Sequence, residues 1–186
     1  MNQKNVKTIT FGGGCFWCVE SCFNMLVGVE SAVSGYAGGH KANPTYEEVC
    51  TGETGHAEVV QLSYDPKVIT YEQLMDVFFF LHDPTQLNRQ GNDIGTQYRS
   101  VIFCKSKNEK EMAEKALKQS AESGRWAGTY VTKISPLDHF YPAEQYHQGY
   151  YQENPTVPYC SAVVGPKIAK FKNHYEALGL LKADIN

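Results

Sequence analysis

Residues 6–20 read Val6-Lys7-Thr8-Ile9-Thr10-Phe11-Gly12-Gly13-Gly14-Cys15-Phe16-Trp17-Cys18-Val19-Glu20. The first six alternate between apolar and polar side chains, which predicts a half-buried β-strand. The apolar residues after Cys15 suit a helix, and the three glycines before it allow a sharp turn with an uncovered backbone. Cys15 would then lie at the first turn of the helix, where unpaired backbone amides and the helix dipole stabilise an anion. We therefore expect the Cys15 thiol to have a lowered pKa and to react as a thiolate.

Two aromatic side chains, Phe16 and Trp17, directly follow the cysteine. A nucleophilic sulfur beside large apolar surfaces indicates a substrate that carries a small apolar group next to the reacting atom. Cys15 and Cys18 also have the spacing of two zinc ligands. No second Cys-x-x-Cys or His-x-x-x-His pair follows at the distance found in zinc fingers, so a structural zinc ion is the weaker interpretation.

Length and charge limit the classes of protein that the chain can represent. The 186 residues suit one domain with a sizeable core. The formal net charge is −3, from 17 Lys and Arg against 20 Asp and Glu, so electrostatics favour neither nucleic acid nor an anionic membrane as a partner. No apolar run approaches the roughly 20 residues that a transmembrane helix requires. We expect a monomer with no bound metal ion or cofactor.

The N-terminal residues and the cysteine content bear on the cellular compartment. Residues 1–5 lead into the first strand without the apolar segment of a secretory signal, so we expect a cytoplasmic protein. In a chain of this length without such a signal, six cysteines indicate reduced thiols or catalytic redox chemistry rather than a disulfide framework.

The pattern beyond residue 20 alternates between strands and helices. It predicts strands at 29–36, 57–64, 98–105 and 130–134, and helices at 71–80, 108–123, 143–153 and 167–178, with Thr70 as a helix N-cap. Two long polar segments, 40–55 and 86–97, are predicted to be functional loops. The element order fits an α+β, ferredoxin-like two-layer sandwich with a mixed or antiparallel sheet. We interpret residues 1–186 as a single domain, with a core at about 6–153 and an irregular C-terminal tail at 154–186.

Four polar residues at predicted junctions of loops and strands are candidates for acid–base chemistry: Glu58, Asp93, Tyr98 and Tyr46. Each also has a plainer interpretation. Glu58 would be a solvated strand end, Asp93 a turn residue, and the two tyrosines core residues with a hydrated hydroxyl. Their common position in glycine-rich segments favours a functional site.

Five motifs, in order, resemble those of the A-type peptide methionine sulfoxide reductases. They are Gly14-Cys15-Phe16-Trp17 with Glu20, Gly35-Tyr36-Ala37-Gly38-Gly39, Pro44-Thr45-Tyr46-Glu47-Glu48-Val49-Cys50, Thr54-Gly55-His56-Ala57-Glu58, and Gln90-Gly91-Asn92-Asp93 through Arg99-Ser100. The resemblance extends over residues 10–170. It implies an oxidoreductase that reduces the S epimer of methionine sulfoxide, free or in peptides and proteins, to methionine.

The resemblance also implies roles for residues on both sides of the reacting sulfur. Cys15 would be the nucleophile that attacks the sulfoxide sulfur, and Phe16 and Trp17 would line the pocket for the methyl group of the substrate. Glu58 would protonate the sulfoxide oxygen, which requires a carboxyl group that stays neutral near pH 7. Burial beside aromatic rings raises a carboxyl pKa in that direction.

Further polar residues are assigned by the same resemblance. The hydroxyls of Tyr46 and Tyr98 would hydrogen-bond the sulfoxide oxygen. Asp93 would help to hold the surrounding polar network through water. His56 is interpreted as orienting its loop, and Glu20 as structural.

A Cys15 sulfenic acid would need a second thiol to resolve it. By the resemblance, Cys160 in the tail would form an intramolecular disulfide with Cys15, which thioredoxin would reduce. The chain departs from the common family pattern in having Cys18 where many members have Gly, and a single tail cysteine where many have two. Cys18 lies one helical turn from Cys15 and is an alternative resolving residue. The other cysteines are interpreted as buried structural residues: Cys22, Cys50 and Cys104.

Three other functions stay open from the residues alone. A general thiol–disulfide oxidoreductase would use Cys15 and Cys18, and would need neither Glu58 nor the tyrosines. A thiol-rich metal-binding or interaction module would bind zinc tightly. A cysteine hydrolase would use His56 as its base.

Overall fold

The computed structural model describes residues 5–184. Residues 1–4 and 185–186 lie outside the described residues. The prediction that residues 1–5 contain no secretory signal and the predicted domain ends at 1 and 186 fall largely on these residues. None of the helices within 5–184 is long and apolar enough to cross a membrane.

The helices and strands of the described chain have the following bounds. The strands are β1 (Lys7–Gly12), β2 (Val29–Ala37), β3 (Ala57–Tyr64), β4 (Arg89–Gln90), β5 (Asp93–Ile94), β6 (Val101–Cys104), β7 (Lys133–Pro136) and β8 (Phe140–Pro142). The α-helices are α1 (Phe16–Asn24), α2 (Tyr46–Cys50), α3 (Tyr71–Leu81), α4 (Lys107–Glu122), α5 (Tyr150–Glu153) and α6 (Gly165–Ala177). Shorter helical turns are the 3-10 turns Thr96–Tyr98 and Gln145–His147 and the π-helical turn Cys160–Val164.

The main sheet has the strand order β7-β6-β1-β3-β2-β8. Neighbouring strands are antiparallel except β6 and β7, which are parallel. Helix α1 joins β1 to β2, and α3 lies between β3 and β6 in the chain, which gives the βαββαβ connection of a ferredoxin-like fold. The predicted α+β class and mixed sheet are confirmed. Strands β4 and β5 form a separate antiparallel pair within the predicted loop 86–97.

The core lies between the sheet and its helices. On β1, the ring centroid of Phe11 is 4.8 Å from that of Phe23 on α1 and 4.6 Å from that of Phe78 on α3. On β3, Val60 belongs to this large core, whereas Val59 belongs to a smaller apolar cluster. Successive strand residues point to opposite faces, so β3 contributes to both clusters.

Three predicted elements are shorter or displaced. The strand predicted at 98–105 is limited to Val101–Cys104, because Tyr98 lies in a 3-10 turn, and the strand predicted at 130–134 lies at Lys133–Pro136. The helix predicted at 143–153 is interrupted at Gly149, which has a left-handed backbone (φ 65°). The Gly149 amide donates a hydrogen bond to Glu20 Oε1 (2.7 Å), so a tertiary contact replaces the helical one at this position.

The tail is more regular than predicted. Residues 160–164 form a π-helical turn that continues without a break into α6, and Pro166 is the second residue of that helix. The buried residues of this segment recur at helical spacing and join the large core: Cys160, Val164, Ile168, Phe171 and Tyr175. The prediction of an irregular tail is corrected for this segment, because its apolar face packs against the helices of the ferredoxin-like core.

Candidate active site

Cys15 lies at the turn between β1 and α1. It is the N-cap residue of α1 and has an extended backbone (φ −63°, ψ 126°). Gly14 before it has a left-handed backbone (φ 82°), which favours glycine. A Cβ atom on Gly12 would lie 2.4 Å from the carbonyl oxygen of Glu58, so the missing side chain lets β1 approach β3 closely. The turn therefore carries the Cys15 sulfur to the end of β3.

The protonation state of Cys15 differs from the prediction. Burial, followed by the neighbouring Glu58 carboxyl, raises the pKa of the partly exposed Cys15 thiol well above its ordinary value. Hydrogen bonds from the Trp17 backbone and from the Tyr159 hydroxyl act in the opposite direction on this pKa and do not compensate. The expectation of a lowered pKa is wrong for the free protein, because desolvation outweighs the helix N-terminus. Cys15 rests as a thiol.

Glu58 lies on β3 beside this turn and is 2% exposed. Its Oε1 accepts a hydrogen bond from the Phe16 amide (3.2 Å). Burial, assisted by the nearby Asp93 carboxylate, raises the pKa of Glu58 to about 8 against the opposing effect of this hydrogen bond. The burial excludes a solvated strand end, and the carboxyl group is neutral at neutral pH.

Tyr46 and Tyr98 approach Glu58 from the two long loops. Tyr46 is the first residue of α2, a short helix that begins with a capping box at Thr45. Tyr98 ends the 3-10 turn before β6. Burial and then the Glu58 carboxyl raise the pKa of both phenols, so both keep their protons. The structure therefore brings two hydroxyl donors to the neighbourhood of one neutral carboxyl group.

Asp93 has a direct partner that the sequence did not indicate. The Tyr159 hydroxyl donates a hydrogen bond to Asp93 Oδ2. The same hydroxyl contacts the Cys15 sulfur, and the Tyr159 ring stands edge-on to Trp17 at 5.8 Å. Tyr159 thus joins the loop that carries Asp93 to the cysteine, a link between residues 66 positions apart.

The aromatic rings after Cys15 form one continuous apolar wall. Phe16 is 1% exposed and stacks on Tyr46 with ring centroids 6.4 Å apart. Trp17 is partly buried and stacks closely on Tyr150, at 3.8 Å between centroids and 12° between planes. The wall includes residues from α1, α2 and α5, and it adjoins the Cys15 sulfur.

His147 belongs to this wall and was missed by the sequence analysis. It is 1% exposed, and its Nδ1 accepts a hydrogen bond from Trp17 Nε1 (3.0 Å). The unusual density of Tyr and Gln around residue 147 was the available signal. That signal did not identify Trp17 as the partner, because the two residues are 130 positions apart.

All six cysteines lie within the described residues and are free thiols. Cys160 is fully buried in the turn that begins directly after Tyr159, and burial raises its thiol pKa. For Cys18, a hydrogen bond with Cys22 lowers the thiol pKa, burial opposes this effect, and the charge of Lys167 assists it. Cys18 lies on the helix that begins after Cys15, and Cys160 follows Tyr159, which contacts Cys15, but both candidate resolving thiols are buried.

The three cysteines that were predicted to be buried structural residues differ. Cys22 and Cys104 are buried, as predicted. Cys50 is exposed at the end of α2, so that prediction is wrong for Cys50. The helix is only five residues long, and it ends at the surface beside Thr51 and Gly52, which are also exposed.

His56 and Glu20 contact the backbone. His56 Nδ1 accepts a hydrogen bond from the Gly39 amide (3.0 Å), and its Nε2 contacts the Lys41 carbonyl oxygen (2.7 Å). Neither ring nitrogen is left for the base of a hydrolase, and His56 orients its loop as expected. Glu20 holds the Gly149 amide. Within residues 5–184, no group of three or more His, Cys, Asp or Glu side chains is arranged to hold a metal ion.

A thiol at a helix start, a neutral buried carboxyl group and two phenol donors lie together beside an aromatic wall on an α+β fold. This arrangement favours an oxidoreductase that uses a thiol. Residues 7–178 match the family model described as peptide methionine sulfoxide reductase, and the chain belongs to this family. It is accordingly an oxidoreductase that acts on methionine sulfoxide.

Named relatives and solved structures agree with this assignment. Peptide methionine sulfoxide reductase MsrA of Polynucleobacter asymbioticus is 49% identical over 181 residues, which cover 96% of this chain and 95% of that protein. The MsrA of Nautilia profundicola is 55% identical over 161 residues, or 87% and 91% of the two chains. The crystal structure of reduced Mxr1 from Saccharomyces cerevisiae superposes with a TM-score of 0.76 at 38% identity and covers 86% of this chain and 91% of that one. Mxr1 in complex with Trx2 matches with a TM-score of 0.54 at 30% identity, over 80% and 87% of the chains.

Proposed function

We propose that this protein reduces the S epimer of methionine sulfoxide, free or in peptides and proteins, to methionine through a sulfenic acid on Cys15. The observation that carries this proposal is the buried Glu58 carboxyl beside the Cys15 thiol, with a pKa of about 8. A sulfoxide oxygen is a poor leaving group until it is protonated, so a neutral acid at this position matches the requirement of the reaction.

The proton and electron changes balance within the pair of Cys15 and Glu58. The Cys15 sulfur attacks the sulfoxide sulfur while Glu58 gives its proton to the oxygen. The hydroxyl group ends on Cys15 as a sulfenic acid, the thioether of methionine leaves, and the thiol proton replaces the one that Glu58 gave. Cys15 is oxidised and the substrate is reduced by two electrons. The high pKa of the resting Cys15 thiol is compatible with these steps, because the thiol proton is the one that restores the neutral form of Glu58.

The remaining site residues are proposed to bind and orient the substrate. The methyl group of the sulfoxide packs against Phe16 and Trp17, which the continuous aromatic wall supports. The hydroxyls of Tyr46 and Tyr98 donate hydrogen bonds to the sulfoxide oxygen as charge develops on it. Asp93 orients the network through Tyr159, its hydrogen-bond donor.

The sulfenic acid is proposed to be resolved by Cys160. The thiol of Cys160 attacks the Cys15 sulfur, a disulfide forms, and the hydroxyl leaves as water. The contact of the preceding residue, Tyr159, with Cys15 supports this choice. The fully buried thiol would have to leave its position in the turn 160–164. Cys18 is the alternative, since it is one helical turn away and its pKa is lowered.

Thioredoxin is proposed as the reductant of the disulfide, since Mxr1 has been crystallised in complex with Trx2. No further cofactor is included in the proposal. We also propose that the chain acts as a monomeric single domain in a reducing compartment such as the cytoplasm, without a nucleic-acid or membrane partner. Six free thiols, one large core that extends into α6 and a net charge of −3 support this part.

Single-turnover assays on reduced protein without added reductant test the proposal. A peptide with methionine S-sulfoxide should yield about one methionine per protein, the R epimer none, and the Cys15→Ser variant none. Glu58→Gln should slow the reaction about a hundredfold, the lower range for loss of a general acid. Glu53→Gln, a change at an exposed carboxylate, should leave the rate unchanged.

Mass spectrometry of the oxidised products then identifies the resolving residue. A bridge between Cys15 and Cys160 that is lost in Cys160→Ser supports the full scheme. A bridge between Cys15 and Cys18 preserves the reductase reaction and transfers the resolving role to Cys18. If the S epimer yields no methionine, or if Glu58→Gln reacts at the wild-type rate, the proposed mechanism is wrong and a general dithiol oxidoreductase is the better interpretation.

A further inference from the structure

We propose that His147 is a positioning residue of the methyl pocket: its unprotonated Nδ1 holds the indole of Trp17 in the orientation that receives the substrate. The inference rests on the proposed function, in which Phe16 and Trp17 contact the methyl group. It adds a residue that has no contact with the reacting atoms in that scheme and that acts through Trp17.

The hydrogen bond determines the tautomer of His147. An indole Nε1–H is only a donor, so His147 Nδ1 must accept at the observed 3.0 Å. The neutral imidazole then carries its proton on Nε2. A second proton could only enter at Nδ1, where it would face the N–H group of Trp17. The bond to Trp17 therefore exists only while His147 is neutral.

The ring of His147 is packed against the side chains that form the aromatic wall. Its centroid lies 4.4 Å from that of Tyr46, 5.3 Å from that of Phe16 and 5.8 Å from that of Trp17. On its outer side it contacts Tyr146 at 4.0 Å. Since one buried ring contacts both proposed methyl-binding residues and one of the proposed tyrosine donors, any rotation of His147 disturbs all three.

The other nitrogen of His147, Nε2, faces the carboxylate of Glu144 beyond hydrogen-bond distance. Nε2 is fully buried, has no hydrogen-bond partner within residues 5–184, and lies 4.0 Å from Glu144 Oε2. Glu144 is already an acceptor for the Tyr36 hydroxyl (3.0 Å) and the Tyr46 amide (3.1 Å). An unsatisfied buried donor is rare in native proteins. The hydrogen bond from Trp17 at 3.0 Å is therefore the contact that orients the buried ring among the described residues.

The charged and titratable groups around His147 come from two segments. Burial lowers the pKa of His147, and the carboxylates of Glu144 and Glu47 partly oppose this. The phenols of Tyr46, Tyr146 and Tyr150 contact the ring as well. His147 is thus uncharged near pH 7. Acidification below its lowered pKa protonates Nδ1 and breaks the hydrogen bond from Trp17 Nε1. We expect the KM for a methionine S-sulfoxide peptide to rise on that acid side.

Substitutions that separate the acceptor from the ring test the inference. His147→Asn can place an amide oxygen near the position of Nδ1, whereas His147→Leu has no acceptor. We expect His147→Leu to raise the KM about fivefold, as for one lost hydrogen bond, with a smaller change in kcat. His147→Asn should restore most of the affinity and lack the rise of KM at acid pH. The matched control is His139→Leu, at an exposed histidine, which should behave as wild type.

The fluorescence of Trp17 gives a readout independent of turnover. In a Trp126→Phe background, Trp17 is the single indole, and its emission should shift in His147→Leu and stay close to wild type in His147→Asn. If His147→Leu does not fold, the comparison of His147→Asn with His147→Gln serves instead, since Gln extends its amide toward the Nε2 side. Equal KM values and equal emission for Asn and Gln would then overturn the inference.

Trp17→Ala separates this inference from the function on which it rests. A raised KM in Trp17→Ala with a wild-type KM in His147→Leu would overturn the role of His147 and leave the methyl pocket intact. A wild-type KM in Trp17→Ala would contradict the pocket itself, and the inference with it. Raised KM values in both single variants, without further increase in the double variant, support the inference, because His147 then acts through Trp17.

Discussion

Cys15 and Glu58 illustrate how one environment acts on two neighbouring acids. Burial disfavours the charged form of each and raises the pKa of both groups. The Glu58 carboxyl raises the pKa of Cys15 further, and the Asp93 carboxylate raises the pKa of Glu58 further. Smaller effects lower the two pKa values: the Trp17 backbone at the helix N-terminus acts on Cys15, and the Phe16 amide acts on Glu58. The resting pair therefore holds two protons at neutral pH, which suits an enzyme that must deliver one of them to an oxygen.

The raised pKa of Glu58 predicts how stability depends on pH. The native protein keeps a proton on Glu58 between pH 4.5 and about 8 that an unfolded chain releases, so the contribution of Glu58 to the free energy of unfolding falls as the pH rises through this window. Glu58→Gln removes this titration and keeps an oxygen for the Phe16 amide. As the pH rises from 4.5 to about 8, the free energy of unfolding of Glu58→Gln should therefore increase relative to that of wild type, by on the order of a few kcal/mol in total.

Denaturant unfolding of both proteins at pH 5, 7 and 9 measures this difference. The same series on Glu53→Gln, at an exposed carboxylate, is the control and should show no such trend. A difference between Glu58→Gln and wild type that does not change with pH would mean that Glu58 is ionised in the native protein.

At the scale of elements, the segment after β8 depends on a contact with α1. Glu20 is 2% exposed, and it accepts the Gly149 amide at the point where the predicted helix breaks. The break directs α5 so that Tyr150 stacks on Trp17 at 3.8 Å. One buried carboxyl group thus connects the first helix to the aromatic wall without touching the reacting atoms.

Glu20→Ala should weaken both the fold and the site. The Gly149 amide would lose its acceptor and a cavity would form, so we expect a loss of about 2 kcal/mol in the free energy of unfolding. The KM for the sulfoxide peptide should rise as well, because the stack of Tyr150 on Trp17 is no longer anchored. Thermal denaturation and steady-state kinetics measure the two effects.

Glu20→Gln is the conservative variant for this prediction, and Glu122→Ala is its control. Glu20→Gln keeps an acceptor and should show the smaller change of the two Glu20 variants. Glu122 is exposed and pairs with the exposed Lys118 at 4.0 Å, so its removal should alter neither property. Equal stability of Glu20→Ala and wild type would mean that the Gly149 contact is dispensable.

For the whole molecule, the C-terminal helix is part of the core rather than an appendage. Phe171 and Tyr175 on α6 are fully buried, with their ring centroids 5.1 Å apart. The Tyr175 hydroxyl donates a hydrogen bond to Asp76 on α3 (2.8 Å). The tail therefore closes the side of the core on which α1 and α3 lie, and the position of Cys160 at the start of this segment depends on that packing.

Phe171→Ala tests whether the tail is required for the fold. Loss of a fully buried phenylalanine should reduce the free energy of unfolding by about 3–5 kcal/mol, through lost burial and a residual cavity. Asn173→Ala, at an exposed position on the same helix, should stay within about 0.5 kcal/mol of wild type. Chemical denaturation measures both variants, and similar values for the two would indicate that α6 contributes little to the core.

Much of the local structure was predictable because it depends on residues within a few positions of one another. The alternation at 57–64 marks β3 with its observed ends, and Thr70 caps α3 through a hydrogen bond with the Gln73 amide. The glycine turn before Cys15 was predicted for the same reason. The boundaries near Tyr98 and Gly149 were not, since their hydrogen-bond partners lie far away in the chain.

The sequence by itself determined the order of the elements, the ferredoxin-like class, the cysteine at the helix start and, through ordered motifs, the family. Only the tertiary structure decided the raised pKa of Cys15, the burial of Glu58, the exposure of Cys50 and the bond between His147 and Trp17. The physical reason is that desolvation and electrostatic proximity are properties of surfaces assembled from distant segments. A local pattern specifies which groups are present, and the folded chain specifies which of them lose water and which of them meet.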